Sequence, residues 1–199
     1  MDLQGLTDDV MECWPDTFVD VPAWGTTESF GAQLGQRRAA VTGEFDLVDP
    51  EAVLALARLY VHFGFGREAI QSFEIDGVMS KRRAAVVALA QIVDGQAVEN
   101  PSLAQQSSCP NRVALWSIFA NDLSQDISHA DTQRIVREFR LLPDALQAAL
   151  KPKLTKRLLG EGAVDLAETL LSSGEPAIEN SETAMILSDI AIHRGDTAS

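Results

Sequence analysis

The stretch Leu56-Ala57-Arg58-Leu59-Tyr60-Val61-His62-Phe63-Gly64-Phe65-Gly66-Arg67-Glu68-Ala69-Ile70-Gln71-Ser72-Phe73 decides the fold. With Val53 just upstream, Val53, Leu56, Ala57 and Tyr60 recur at i, i+3, i+4 and i+7, the period of one helix face. Gly64 ends that helix, because a residue that tolerates the left-handed conformation can release the last carbonyls. Gly66 reopens a helix with Ala69, Ile70 and Phe73 as its stripe. The result is an antiparallel helical hairpin. Leu56 and Tyr60 share a face one turn apart, and Ala57 lets a partner helix approach closely. Ala69 is the small residue at the crossing, and Phe73 closes the hairpin.

Working outward, Asp49-Pro50-Glu51 is a helix start: an amide-accepting N-cap, a proline with preset φ, and an acid at the positive dipole end. Before it, Thr26 or Thr27 with Glu28 is expected to open a helix carrying Phe30, Leu34 and Val41. After the hairpin, helices are expected from about 80 to 93, ended by Gly95 and then Pro101, and from Pro110-Asn111 with Val113, Trp116, Phe119 and Ala120. Ser128 or Asp131 opens the next, with Ile135, Val136, Phe139 and Leu142 inward, and Pro143-Asp144 opens another. Pro152 lacks the amide for the i−4 bond, so it is expected to break or kink whatever crosses it. Two last segments fall at about 162–171 and 182–194. No stretch alternates with period two, so the fold class is all-α. Residues 1–25, rich in Pro, Gly, Asp and Trp, read as an irregular arm anchored to the body by Trp14, Phe18 and Trp24.

Leu56, Ala57, Tyr60, Gly64, Ala69 and Phe73 stand at the spacing of a tetratricopeptide repeat, and residues 50–76 resemble one. A weaker copy runs through Leu154, Leu158, Gly162, Ala167 and Leu171 at the same offsets, and a third begins at Leu187, Ala191 and Gly195. Residues 84–150 keep the hairpins but lose the spacing. The resemblance implies a right-handed α-α superhelix, an α-solenoid, over residues 26–199. The helix holding Met185, Ile186, Leu187 and Ile190 is apolar rather than cap-like, so the array is expected to continue beyond this chain.

Of 199 residues, 29 are acidic and 16 are Lys or Arg, a net charge of −13. Such a surface repels phosphate backbones and anionic lipid, so nucleic-acid binding and membrane insertion are not expected. The charge is uneven. Residues 1–80 carry −10 and residues 158–199 carry −7, around an island at 134–157 of +5. Its members are Arg134, Arg137, Arg140, Lys151, Lys153, Lys156 and Arg157. They either pair with acidic flanks on solvated helix faces or form a docking patch for an acidic partner. In the repeat family the groove-facing positions correspond to Arg58, His62, Lys156, Asp189 and His193. A groove lined by Arg58, His62 and Lys156 would suit an acidic or carboxylate-ended peptide.

Cys13 and Cys109 lie in proline-flanked, non-helical segments. They either form a disulfide tying the arm to the middle of the chain or are unrelated thiols. A disulfide would point to an exported, periplasmic setting, and free thiols to the cytoplasm. His62, His129 and His193 are too far apart for a local metal motif, and there is no phosphate loop or nucleophile elbow, so neither cofactor nor metal nor catalysis is expected. The expected function is a non-catalytic protein–protein interaction scaffold, the N-terminal part of a larger bacterial protein. The alternatives are an all-α accessory or regulatory domain of an enzyme whose catalytic part lies elsewhere, or a structural domain of an envelope assembly.

Overall fold

The computed structural model describes residues 12–42, 47–120, 129–172 and 181–193. Among them the secondary structure is all helical, apart from an isolated bridge between Thr42 and Val48. The helices are α1 (Phe30–Val41), α2 (Pro50–His62), α3 (Gly66–Ser72), α4 (Lys81–Val93), α5 (Pro101–Ala104), α6 (Val113–Ala120), α7 (His129–Phe139), α8 (Asp144–Gly160), α9 (Val164–Ser172) and α10 (Ser181–His193). Short 3-10 turns at Asp16–Phe18 and Val21–Trp24 shape the arm, and a third, Phe73–Ile75, extends α3.

The α2–α3 hairpin forms as its residues dictate. Asp49 accepts a hydrogen bond from the Glu51 amide at 2.9 Å, and Leu56, Ala57, Tyr60, Ala69 and Phe73 are buried. Gly64 stands at φ +84°, and across it the Phe65 amide donates to the Tyr60 carbonyl while the Gly64 amide donates to Val61. The same pair of bonds recurs across Gly95 (Gln96 to Gln91, Gly95 to Ile92) and across Gly162 (Ala163 to Leu158, Gly162 to Leu159). Three helices therefore end in one device, in which a left-handed glycine lets two amides turn back onto the last carbonyls. In α8–α9 Leu154, Leu158 and Ala167 are buried, as Leu56, Tyr60 and Ala69 are in α2–α3. Leu171 packs against the core partly buried. In both hairpins the next helix, α4 or α10, contacts both members.

Further contacts join the two hairpins: α4 and α6 each pack on α8, and α7 packs on α9. One continuous apolar core runs from Val19 and Val21 of the arm, through Leu89, Trp116 and Phe139, to Ile186 and Ile190. Arg83 pins the first half. Its guanidinium donates to both Asp76 carboxylate oxygens (2.5 and 2.6 Å), to Val78 O (2.7 Å) and to Pro50 O (2.6 Å), and lies 5.0 Å from the Phe73 ring centre.

Three local expectations need correction. Residues 26–28 form a turn rather than the first helical residues. Thr26 Oγ1 accepts from the Glu28 amide, while Gln33 bonds both the Thr26 amide and its carbonyl, so α1 begins at Phe30 behind Ser29. Pro101 opens α5 under the cap of Asn100 rather than only ending what precedes it. Pro152 lies inside a continuous α8. The carbonyl that loses its amide there belongs to Ala148, an exposed position, so water can satisfy it.

Candidate functional site

The arm is built onto the body residue by residue. Cys13 is joined to Cys109 by a disulfide, with Cα atoms 5.9 Å apart. The Trp14 amide donates to Gln106 Oε1 at 2.8 Å, and Asn111 Nδ2 donates to the Trp14 carbonyl at 2.7 Å. The Arg112 amide donates to Asp16 at 3.0 Å, and its guanidinium pairs with Asp20 and lies 3.6 Å from Glu138 of α7. Val19, Val21 and Trp24 are buried beneath the chain. Asp20 stands at φ −76°, ψ 63°, an inverse γ-turn closed by the Val21 amide on the Val19 carbonyl at 2.8 Å, which turns both valines inward.

This arm occupies two residues expected to line an open groove. Arg58 donates to the Thr17 carbonyl at 2.9 Å, and its guanidinium carbon lies 5.1 Å from the centre of the Trp24 ring. Burial pushes the Arg58 pKa below its ordinary value, and the nearby Arg82 lowers it further. His62 is 9% exposed; its Nδ1 is 2.9 Å from the Val21 carbonyl, and its ring packs on Phe63 and against Gly25. Arg58 and His62 thus anchor the arm to α2, His62 buried and Arg58 half-buried. The physical reason is local: both project from the side of α2 on which Val21–Trp24 packs.

The basic island divides by face. On α8 the exposed stripe carries Ala145, Ala148, Ala149, Lys153 and Lys156. Lys153 reaches over the Phe119 ring of α6, with Nζ 6.0 Å from its centre. Lys151 is half-buried on the flank. Arg157 turns inward instead. It is 7% exposed, and its Nη2 is 3.0 Å from Glu161 Oε1, close enough for an ion pair but without hydrogen-bond alignment. It is therefore removed from any docking surface. On α7, Arg134 is half-buried against Asp131 at 2.6 Å, while Arg137 is exposed, and Arg140 follows exposed in the turn. Lys153, Lys156, Arg137 and Arg140 remain as the solvent-facing cations of the island.

The described residues leave a cleft of about 440 Å³ between the arm and the α4–α5 region. Its walls include Cys13, Trp14 and Phe18 on one side and Lys81, Asn100 and Ser102 on the other. Among the described residues, no group of three or more His, Cys, Asp or Glu is placed to hold a metal ion, and no helix is long and apolar enough to cross a membrane. The side chains of His129 and His193, and Gly195, where a third copy was expected, lie outside the described residues. Sequence reasoning missed Gln106, Asn111 and Arg112, which receive the arm. Their signal was adjacency to Cys109: a bonded Cys13 must bring Trp14–Asp16 against whatever flanks its partner.

In comparisons with family models, curated proteins and solved structures, the chain matches none.

Proposed function

We propose that this chain is a non-catalytic scaffold of helical hairpins, of the tetratricopeptide-like kind, arranged as a right-handed α-solenoid that presents a surface to an acidic protein or peptide. The observation that carries the reading is the exposure of Lys153, Lys156, Arg137 and Arg140 on a chain of net charge −13. A local cationic surface in an acidic field favours an acidic partner and disfavours wrong partners more than it adds raw affinity. The repeat reading is supported by the shared turn at Gly64 and Gly162, and by the contact of α4 and α10 with both members of the preceding hairpin. The Cys13–Cys109 bond supports an oxidising compartment as the place of work.

The test is charge reversal at two solvent-facing sites. Arg137→Glu with Lys153→Glu should weaken capture of an acidic partner at least tenfold and flatten its salt dependence, while leaving the thermal transition within a few degrees. Unchanged capture by the folded variant overturns the reading. A second reading, a structural part of an assembly, is favoured by the exposed Met185, Leu187 and Ile192 of α10. It would show as a mass that rises with concentration in light scattering and falls after Leu187→Glu.

A further inference from the structure

The two cysteines of the disulfide do not meet solvent equally. Cys109 is 1% exposed and belongs to the apolar core, whereas Cys13 is half-buried and forms part of the wall of the 440 Å³ cleft. The cleft has a defined chemical character. The aromatic side chains of Trp14 and Phe18 give it apolar walls. Lys81 contributes a cation, and it is exposed at the first position of α4, whose N-terminal end is itself partly positive. Asn100 adds amide chemistry, with its Oδ1 engaged by the Ser102 amide and hydroxyl. Glu12 stands on the same lining as the acidic counterweight.

We infer that Cys13–Cys109 is a one-sided thiol-exchange site, entered through this cleft by a small, carboxylate-bearing peptide thiol. The thiolate sulfur attacks Cys13 Sγ and forms a new S–S bond there. The Cys13–Cys109 bond breaks, its electron pair leaves on Cys109 Sγ, and that sulfur takes a proton from water. This first step involves no net oxidation. A second equivalent of thiol displaces the adduct, leaving two protein thiols and one small-molecule disulfide. Attack at Cys109 is disfavoured because the core covers it. Opening the bond releases Cys13 but leaves the arm seated, because Trp14 keeps its hydrogen bonds to Gln106 and Asn111, Val19, Val21 and Trp24 stay buried and Arg112 stays paired with Asp20. The inference is independent of the interaction reading, since it concerns only the reactivity of the latch.

The experiment treats the oxidised full chain with reduced glutathione, quenches with acid at short times, alkylates free thiols and maps the products by mass spectrometry. Trypsin separates the two sites, because Cys13 falls on a peptide ending at Arg37 and Cys109 on one running from Ala84 to Arg112. The expected result is glutathione on Cys13 and alkyl on Cys109, at least tenfold over the reverse. In denaturant the preference should vanish. Equal labelling in the folded chain, or preference for Cys109, overturns the inference. Lys81→Glu provides a second readout in a variant that keeps an acceptable helix start. It should slow glutathione at least threefold while leaving the neutral thiol 2-mercaptoethanol unchanged. Equal rates in variant and parent with glutathione would rule out the cleft as the route.

Discussion

Gly25 sits so close to the His62 imidazole that a Cβ there would lie 2.5 Å from two ring atoms. The glycine is required by that approach and not by its φ, which is extended at −123°. Gly25→Ala should therefore force the ring or the arm to shift, costing about 1–3 kcal/mol by urea titration. His62→Ala should lower stability too, because the Val21 carbonyl loses its buried partner. This shows where sequence reading reached its limit at single residues. The repeat resemblance assigned Arg58 and His62 to one groove-facing side of α2. What spacing could not show is that the arm lies over that side, since this depends on a contact across 41 residues.

Helix ends carried the most legible information at the next scale up. Asp49-Pro50-Glu51, Ser80 and the glycines after α2, α4 and α8 mark those boundaries because caps act within a few residues of the chain. Gly64→Ala and Gly162→Ala should each cost about 1–2 kcal/mol in chemical denaturation, the penalty for a Cβ in the left-handed region. The exchange between elements was less legible, and Arg83 is the example. It reads as one of three basic residues at a helix start, yet its side chain is 3% exposed and tied to Asp76, Val78 and Pro50. Its hydrogen bonds hold the Asp76 pKa below the ordinary aspartate value. The unfolded chain therefore binds the proton more readily. The stabilisation is whole above the ordinary range near pH 4 and is lost progressively as pH falls through the lowered folded value. Asp76→Asn should flatten the acid side of the stability profile measured by thermal melts from pH 2 to 6. Arg83→Met, which leaves Asp76 buried without its partner, should cost about 3–5 kcal/mol at pH 7.

For the molecule as a whole, the all-α class was legible because helical period and capping are local signals that repeat along the chain. The candidate surface was legible as composition but not as geometry. The island at 134–157 reads as one run of cations, and helical rotation then separates Lys153 and Lys156 from Arg157 and pairs Arg134 with Asp131. The disulfide spans 96 residues. Closing a loop of that size removes much of the freedom of the unfolded chain, and Cys13→Ser with Cys109→Ser should lower stability by about 2–5 kcal/mol. Thiol titration in denaturant without reductant checks the premise: the native chain should yield no thiols and the reduced chain two.

The way the arm is held also sets an order of assembly. Its first residues leave the ribosome before the body, but Gln106, Cys109, Asn111 and Arg112, which receive them, arrive about a hundred residues later. The α2–α3–α4 unit is local in sequence and can form early, while the arm must wait for partners of high sequence separation. During that interval Trp14, Val19, Val21 and Trp24 have no complete surface to cover them. The arm is therefore seated well after the helices it packs on have been made, and until then its apolar residues lack most of their cover.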